Sequence, residues 1–285
     1  MKKTVITTDC VCDLPEEYLR EHGVDLVYFY INTDTGRFQD GAGITSGNVL
    51  EYLEEGGVKA ETYPPSVQEY QSFFEKRLRQ GGELVHIAIS GHVGGSCKNA
   101  MTAWRLLGED SRRVTVIDSE HLSTGMGHMI MKAVELRDAG KSAAEIAEAV
   151  EGMKDKVSTT FITRNANYLY RNGRVGKRLK ELCGVLMFHP VLVLKKGRMA
   201  LKTIRVGHYE QSMLRYVRGE LKRSDRIDKR RLFITHAGCS VRTISRIRAE
   251  AAKLCVFEEV VVTRASATVS SNCGPETVGI IFVYK

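Results

Sequence analysis

The chain has 285 residues, 43% apolar and 27% charged, enough to close a large core; this excludes a disordered tail or a small stapled peptide and predicts two compact units. No apolar run approaches the ~20 residues of a membrane helix, and Met1 to Thr8 is a short basic start leading into strand-like Val5 and Ile6 rather than a secretory leader, so a cytoplasmic protein is expected. The net charge of +8 is uneven: residues 1–150 hold 15 Lys and Arg against 23 Asp and Glu, and residues 151–285 hold 27 against 11. The second half therefore suits an acidic partner, an anionic membrane surface or a phosphate-bearing ligand, although any one cluster also reads as a solvated helix face.

Strand-like runs at Thr4 to Thr7, Leu26 to Ile31, Leu84 to Ile89 and Val114 to Asp118 alternate with amphipathic segments, the pattern of an α/β unit with a mostly parallel sheet. Asp13-Leu14-Pro15-Glu16 reads as the start of the first helix, with Asp13 as cap and Glu16 answering it. Thr45 begins a second helix that stops at Gly56-Gly57, and Ser66 a third that runs to about Gln80 before Gly81-Gly82. Ser96 is read as the cap of a helix whose inward stripe is Ala100, Ala103, Trp104 and Leu107, with the tryptophan in the core. A further helix spans Ser142 to about Lys156, and Val157 to Ile162 returns to strand character, so the division is placed between residues 1–156 and 157–285. The second half, expected to be mixed α/β, continues with Val191 to Leu194, a turn at Lys195 to Gly197, and a helix from His208 to Lys222. Strand Leu232 to Thr235, helix Ser240 to Lys253 and strands Val260 to Thr263 and Gly279 to Tyr284 complete it.

Seven cysteines at positions 10, 12, 97, 183, 239, 255 and 273 lack C-x-x-C spacing and an even count, so they read as reduced thiols rather than zinc ligands or disulfides. Cys10 and Cys12 fit small buried positions at a strand end better than a metal clip. In an open parallel sheet ligands lie beyond the carboxyl ends of the strands. Of the loops found there, Ser90-Gly91-His92-Val93-Gly94-Gly95-Ser96 is the most informative: its glycines admit a ligand close to the backbone, and the following helix start favours an anion. The spacing matches neither a P-loop nor a dinucleotide fingerprint.

These residues carry a resemblance. Asp9-Cys10-Val11-Cys12-Asp13-Leu14-Pro15 resembles the D-S-x-x-D-L-P opening of the DegV family, bacterial fatty-acid-binding proteins that serve fatty acid kinase. Thr62-Tyr63-Pro64-Pro65-Ser66 is similar to T-S-Q-P-S, and Ile89 to Ser96 to I-S-S-G-L-S-G-T. Val116-Ile117-Asp118-Ser119, with Gly125-Met126-Gly127 behind it, is similar to V-I-D-S and its G-x-G. Tyr168 to Val175 resembles Y-L-x-x-G-G-R-I, and Cys273-Gly274-Pro275 falls where G-P-G stands.

The resemblance implies a two-domain α/β fold, with a mostly parallel sheet in the first domain, a mixed second domain, and one long-chain acyl group in a buried tunnel between them. It implies no catalysis by this chain, no metal, and a bound fatty acid in place of a cofactor, presented to a separate kinase subunit for acyl phosphate formation. Thr62, Ser90 and Gly91 would bind the carboxylate, with Asp9, His92, Ser119 and Asn272 around the head group. Arg174 and Arg205 would face the phosphate or the kinase. Gly91 replaces a serine of the motif, His92 a glycine, Asn272 a histidine and Glu276 the second glycine of G-P-G, so the head-group network is altered, which relocates a donor, changes the preferred acyl chain or leaves lipid binding without phosphotransfer. A transient anionic membrane surface is the other expected partner. The competing reading is an esterase or thioesterase with Ser90 as nucleophile, His92 or His121 as base and Asp118 as orienter, disfavoured by the lack of a G-x-S-x-G elbow. Nucleic-acid binding through Arg242, Arg246, Arg248 and the run Lys222 to Arg231 is not expected, because no aromatic residues interleave those clusters and no known module matches.

Overall fold

In the computed structural model, which describes residues 4–57, 59–79, 82–164, 166–183 and 187–285, the apolar runs become thirteen strands in three sheets. In chain order these are β1 (Thr4–Asp9), β2 (Asp25–Val27), β3 (Tyr30–Thr33), β4 (Gly36–Gln39), β5 (Glu61–Tyr63), β6 (Glu83–Ala88) and β7 (Val114–Asp118), followed by β8 (Val157–Ile162), β9 (Phe188–Lys195), β10 (Arg198–Val206), β11 (Arg231–Ala237), β12 (Glu259–Arg264) and β13 (Thr277–Val283). A parallel sheet has the order β2-β1-β6-β7, and a mixed sheet the order β10-β9-β8-β13-β11-β12. A small antiparallel sheet, β4-β3-β5, carries Thr62 opposite Ile31.

The run Leu26 to Ile31 is therefore not one strand. It breaks at Tyr28 and Phe29, where the Phe29 N–H bonds Cys10 Sγ, and its two ends join different sheets. β10 follows the Lys195 to Gly197 turn without a strand signal in the sequence, because its exposed residues lack the apolar alternation that marks a half-buried strand.

The helices read as starting at Thr45, Ser66, Ser142 and Ser240 do start there, each of these side chains accepting a first-turn N–H, but the Ser142 helix ends at Glu151 rather than near Lys156. Two other caps do not form as read. Helix Glu16–Glu21 starts after Pro15 with no side-chain cap, and Asp13, at φ +54°, turns its carboxylate to Ser123 and the Ser266 N–H. Ser96 is the first residue of helix Ser96–Leu106 rather than its cap, its hydroxyl drawn away to Asp9 and Tyr70. Of that helix's stripe, Ala100 and Ala103 are fully buried and Trp104 partly, its indole donating to Ser111 O. Helix Val67–Leu78 ends just before Gln80 and Gly81, which, like Met1, Lys2 and Lys3, lie outside the described residues.

Helix Thr124–Asp138 lies between the parallel and mixed sheets. Ten of its 15 residues are buried, and Met126, Met129 and Ile130 share one cluster with Ile6 and Ile87 on one side and Phe233 and Ile281 on the other. A helix apolar on both faces gives little amphipathic signal, which is why periodicity did not mark it. Two further helices, Tyr209–Leu221 and Val241–Leu254, cover the other face of the mixed sheet. Among the described residues no helix is long and apolar enough to cross a membrane.

Candidate functional site

Side chains alternate along a strand, and here the alternation builds a cavity floor. Ile234, Val278 and Ile280 pack under the covering helices. Their neighbours Thr235, Ala237, Thr277, Gly279 and Ile281, together with Thr159 and Phe161 of β8, line a cavity of about 250 Å³ between the sheets. One water needs only ~10–15 Å³, so the space is of ligand size. Leu122, Leu169, Met199 and Val269 close its walls.

Apart from Thr268, whose buried hydroxyl has no hydrogen-bond partner among the described residues, the threonines of the floor do not make this interior polar. The Thr159 hydroxyl is 2.9 Å from His121 Nδ1, Thr235 Oγ1 is 2.7 Å from Thr124 Oγ1 and 2.9 Å from Thr263 Oγ1, and Thr277 donates to Cys273 O at 3.0 Å. With those hydroxyls engaged by protein, the methyl groups remain as contact surface. Polar capacity is concentrated at one rim, lined by Thr62, Gly94, Gly95, Arg174 and Asn272. There Asn272 Nδ2 donates to Thr62 Oγ1 at 3.3 Å and to Thr268 O at 2.8 Å, while Arg174 donates from Nε to Asn272 Oδ1 at 2.9 Å and from Nη1 to Val93 O. Burial lowers the Arg174 pKa, and among the described residues it meets no carboxylate.

The structure thus brings Thr62, Arg174 and Asn272 together, but not Ser90, Gly91, His92, Asp9, Ser119 or Arg205. Ser90 is fully buried and donates to Gly197 O at 2.7 Å, tying the glycine loop to the turn between β9 and β10 instead of facing the cavity. The Gly91 N–H is drawn to both Asp118 oxygens at 3.2 Å, and a Cβ at 91 would lie 2.8 Å from Asp118 Oδ2, so the serine of the resembled motif fits only if Asp118 moves. The His92 N–H donates to Ser90 Oγ. Of the loop's donors, Gly94 and Gly95 are the ones at the rim, and their N–H groups have no acceptor among the described residues.

Asp9 lies behind the loop as its anchor, accepting from Tyr70, Ser96 and the Ile89 N–H, with burial pushing its pKa up to about 6. Ser119 is buried against the His121 backbone. Arg205 belongs to β10, where a Cβ on Gly219 of helix Tyr209–Leu221 would meet its Nη2 at 2.7 Å, and it does not line the cavity. The hydrolase constellation does not assemble either. Ser90 gives its proton to a carbonyl, His121 bonds Thr159 and Lys154 O, and Asp118 accepts from Gly91 and Glu120 N–H groups.

Sequence reading missed Asp40 and the helix it anchors. Asp40 accepts from the N–H groups of Ala267 and Thr268 at 3.0 and 2.9 Å, fixing the start of helix Ala267–Cys273, which supplies Val269 and Asn272 to the cavity. A 227-residue separation leaves no local signal for that contact. Of the two strand-end thiols Cys12 is buried and Cys10 partly so; burial pushes Cys12 up to about 12 and Cys10 well above its ordinary value. Among the described residues no cluster of three or more His, Cys, Asp or Glu could hold a metal.

The model of the DegV family, described as one of uncharacterised proteins, matches residues 3–285. The chain belongs to the DegV family. A DegV domain-containing protein of Deinococcus radiodurans is 27% identical over 285 residues, covering 96% of each chain. Among solved structures, a DegV family protein of Thermus thermophilus described by its fatty acid binding is 26% identical, with TM-score 0.87 over 99% of this chain and 100% of that one. A stearic acid-binding protein of Eubacterium ventriosum has TM-score 0.86 at 23% identity, covering 100% of this DegV chain and 99% of its own, and shows the shared fold.

Proposed function

We propose that this DegV protein binds one long-chain fatty acid, its tail in the cavity between the sheets and its carboxylate at the Thr62, Arg174 and Asn272 rim. The observation that carries this reading is a methyl-lined cavity with a half-buried guanidinium, without a protein carboxylate, at one end. Fatty acid binding by the Thermus relative supports it. A tail of ~15 buried CH₂ groups at ~0.8 kcal/mol each contributes about 12 kcal/mol of gross transfer energy. Each charge-assisted head-group bond adds roughly 1.5 to 3 kcal/mol. Tail burial therefore sets affinity, and the rim sets orientation. In this reading Thr62 and the Gly94 and Gly95 N–H groups donate to the carboxylate, Arg174 supplies the counter-charge, and Ser90 and Asp9 hold the loop from behind.

The chain acts as carrier, and a separate fatty acid kinase converts the presented carboxylate to an acyl phosphate. Lys195, Lys196 and Arg198, exposed on and beside the turn that Ser90 ties to the loop, give that partner and its nucleotide phosphates a basic approach. The division at 156/157 is part of the same proposal, the acyl chain lying between the two halves. Native mass spectrometry of the purified protein with lipid extraction is expected to find one fatty acid per chain. Thr62→Ala should then weaken retention of the free acid more than that of a long-chain alcohol. Absence of copurifying lipid together with failure to bind added fatty acid would sink the proposal.

A further inference from the structure

The basic run from Lys222 to Arg231, which the acyl site does not use, forms a wall of a second cleft. Asp228, Arg230 and Arg231 face helix Thr124–Asp138, the chain at Met153 and Lys156, and residues Val283 to Lys285 across a cavity of about 210 Å³. On that helix His128, Lys132 and Glu135 are four and three residues apart and so share one face. Five cations line the cleft, Lys132, Lys156, Arg230, Arg231 and Lys285, against the carboxylates Glu135 and Asp228.

Those two carboxylates are already divided. Asp228 Oδ2 is 3.0 Å from Arg230 Nη2, and Glu135 Oε2 is shared between Lys132 Nζ at 3.6 Å and Arg230 Nη1 at 3.7 Å. Arg231 Nε pairs with Glu259 Oε2 at 2.5 Å, Lys285 Nζ donates only to Asp225 O, and Lys156 meets no carboxylate among the described residues. Beneath them His128 is buried edge-on to Phe233 at 4.7 Å. Convergent cations over a low-dielectric floor concentrate positive potential, and with Arg230 held by Asp228 and Glu135 and Arg231 by Glu259, the ammonium groups of Lys156 and Lys285 are left to meet the oxygens of a phosphate.

We propose that this cleft binds a phosphate group, carried either by a small soluble compound or by a phospholipid headgroup. It lies at the start of β8 and β11 and the end of β13, whereas the rim of the acyl cavity lies toward the start of β13. The proposal therefore stands apart from the acyl reading.

The test uses the full chain with two probes: calorimetric titration with inorganic pyrophosphate, and flotation with vesicles of phosphatidylglycerol in phosphatidylcholine against phosphatidylcholine alone. Lys132→Glu with Lys156→Glu is compared with Arg242→Glu and Arg248→Glu, an equal charge change on exposed residues of helix Val241–Leu254. The single exposed Lys156→Ala guards against misfolding. One probe should bind the parent protein at physiological salt, with the cleft pair weakening it about tenfold or more, Lys156→Ala weakening it in the same direction, and the distant pair changing it less than about threefold. Pyrophosphate binding assigns a soluble ligand, and anionic-vesicle binding alone assigns a headgroup. Failure of both probes, or equal losses in the two charge-reversed pairs, overturns the site.

Discussion

A guanidinium half-buried beside apolar surface and bonded only to neutral oxygens lacks the counter-charge that offsets desolvation. Arg174 is in that state, with Val93 O and Asn272 Oδ1 as acceptors and its pKa lowered by burial. Replacing it with a flexible apolar side chain removes a desolvated charge, so Arg174→Met should cost the ligand-free protein little in thermal unfolding. The same change should weaken retention of a long-chain free acid by about tenfold or more while altering retention of the matching alcohol much less. Displacement of a fluorescent fatty acid measures both, and equal losses would remove Arg174 from the head-group end. Thr62 stands in a distinctive motif and so does Arg174, but the motif gave Arg174 to the phosphate or kinase side rather than to the rim it shares with Thr62. Asn272 was legible only as a departure from a motif. Ser90 misled because a motif position does not show where a hydroxyl points, and its acceptor, Gly197 O, is 107 residues away.

At the scale of elements, the close approach of helix Thr124–Asp138 to β8 depends on Gly125. A Cβ there would lie 2.0 Å from Thr159 Oγ1 and 3.2 Å from Thr159 Cβ. Alanine normally favours a helix by ~1 kcal/mol over glycine, so the sign of Gly125→Ala is diagnostic. We expect destabilisation of about 1–3 kcal/mol from overpacking, read as a lower urea midpoint. Combining it with Thr159→Ala should cost less than the sum of the two changes; strict additivity would rule the contact out. Elements with local signals were readable: the polar-capped helices, the parallel strands and β8. What escaped was set by distant contacts. Helix Ala267–Cys273 depends on Asp40, the edge strand β10 on pairing with β9, and the break at Tyr28 on which sheet each end joins.

Across the whole molecule, buried groups that favour neutrality set how stability responds to pH. Burial raises Asp9 from 3.8 to about 6 and Asp13 from 3.8 to about 7, and lowers His86 and His128 from 6.5 to about 3. Each aspartate's contribution is complete below its unfolded value and is lost as pH rises through its folded one. Each histidine's contribution is complete above its unfolded value and is lost as pH falls toward its folded one. Between about pH 5 and 6 the folded chain therefore holds protons on two aspartates that the unfolded chain has released, and the unfolded chain holds protons on two histidines that the folded chain excludes. The slopes of these four groups oppose one another, and burial also raises Asp40 and lowers His121 and His236, so each variant is read against the parent profile. Asp13→Asn, tolerated at φ +54°, removes one of the opposing aspartates, and stability should then rise with pH more steeply than in the parent by ~1.4 kcal/mol per unit. His128→Phe, which keeps an aromatic ring against Phe233, should change the slope by a similar amount in the opposite sense. Chemical denaturation at several pH values measures all three profiles, and parallel profiles for the two variants would show that these buried groups do not govern the pH response.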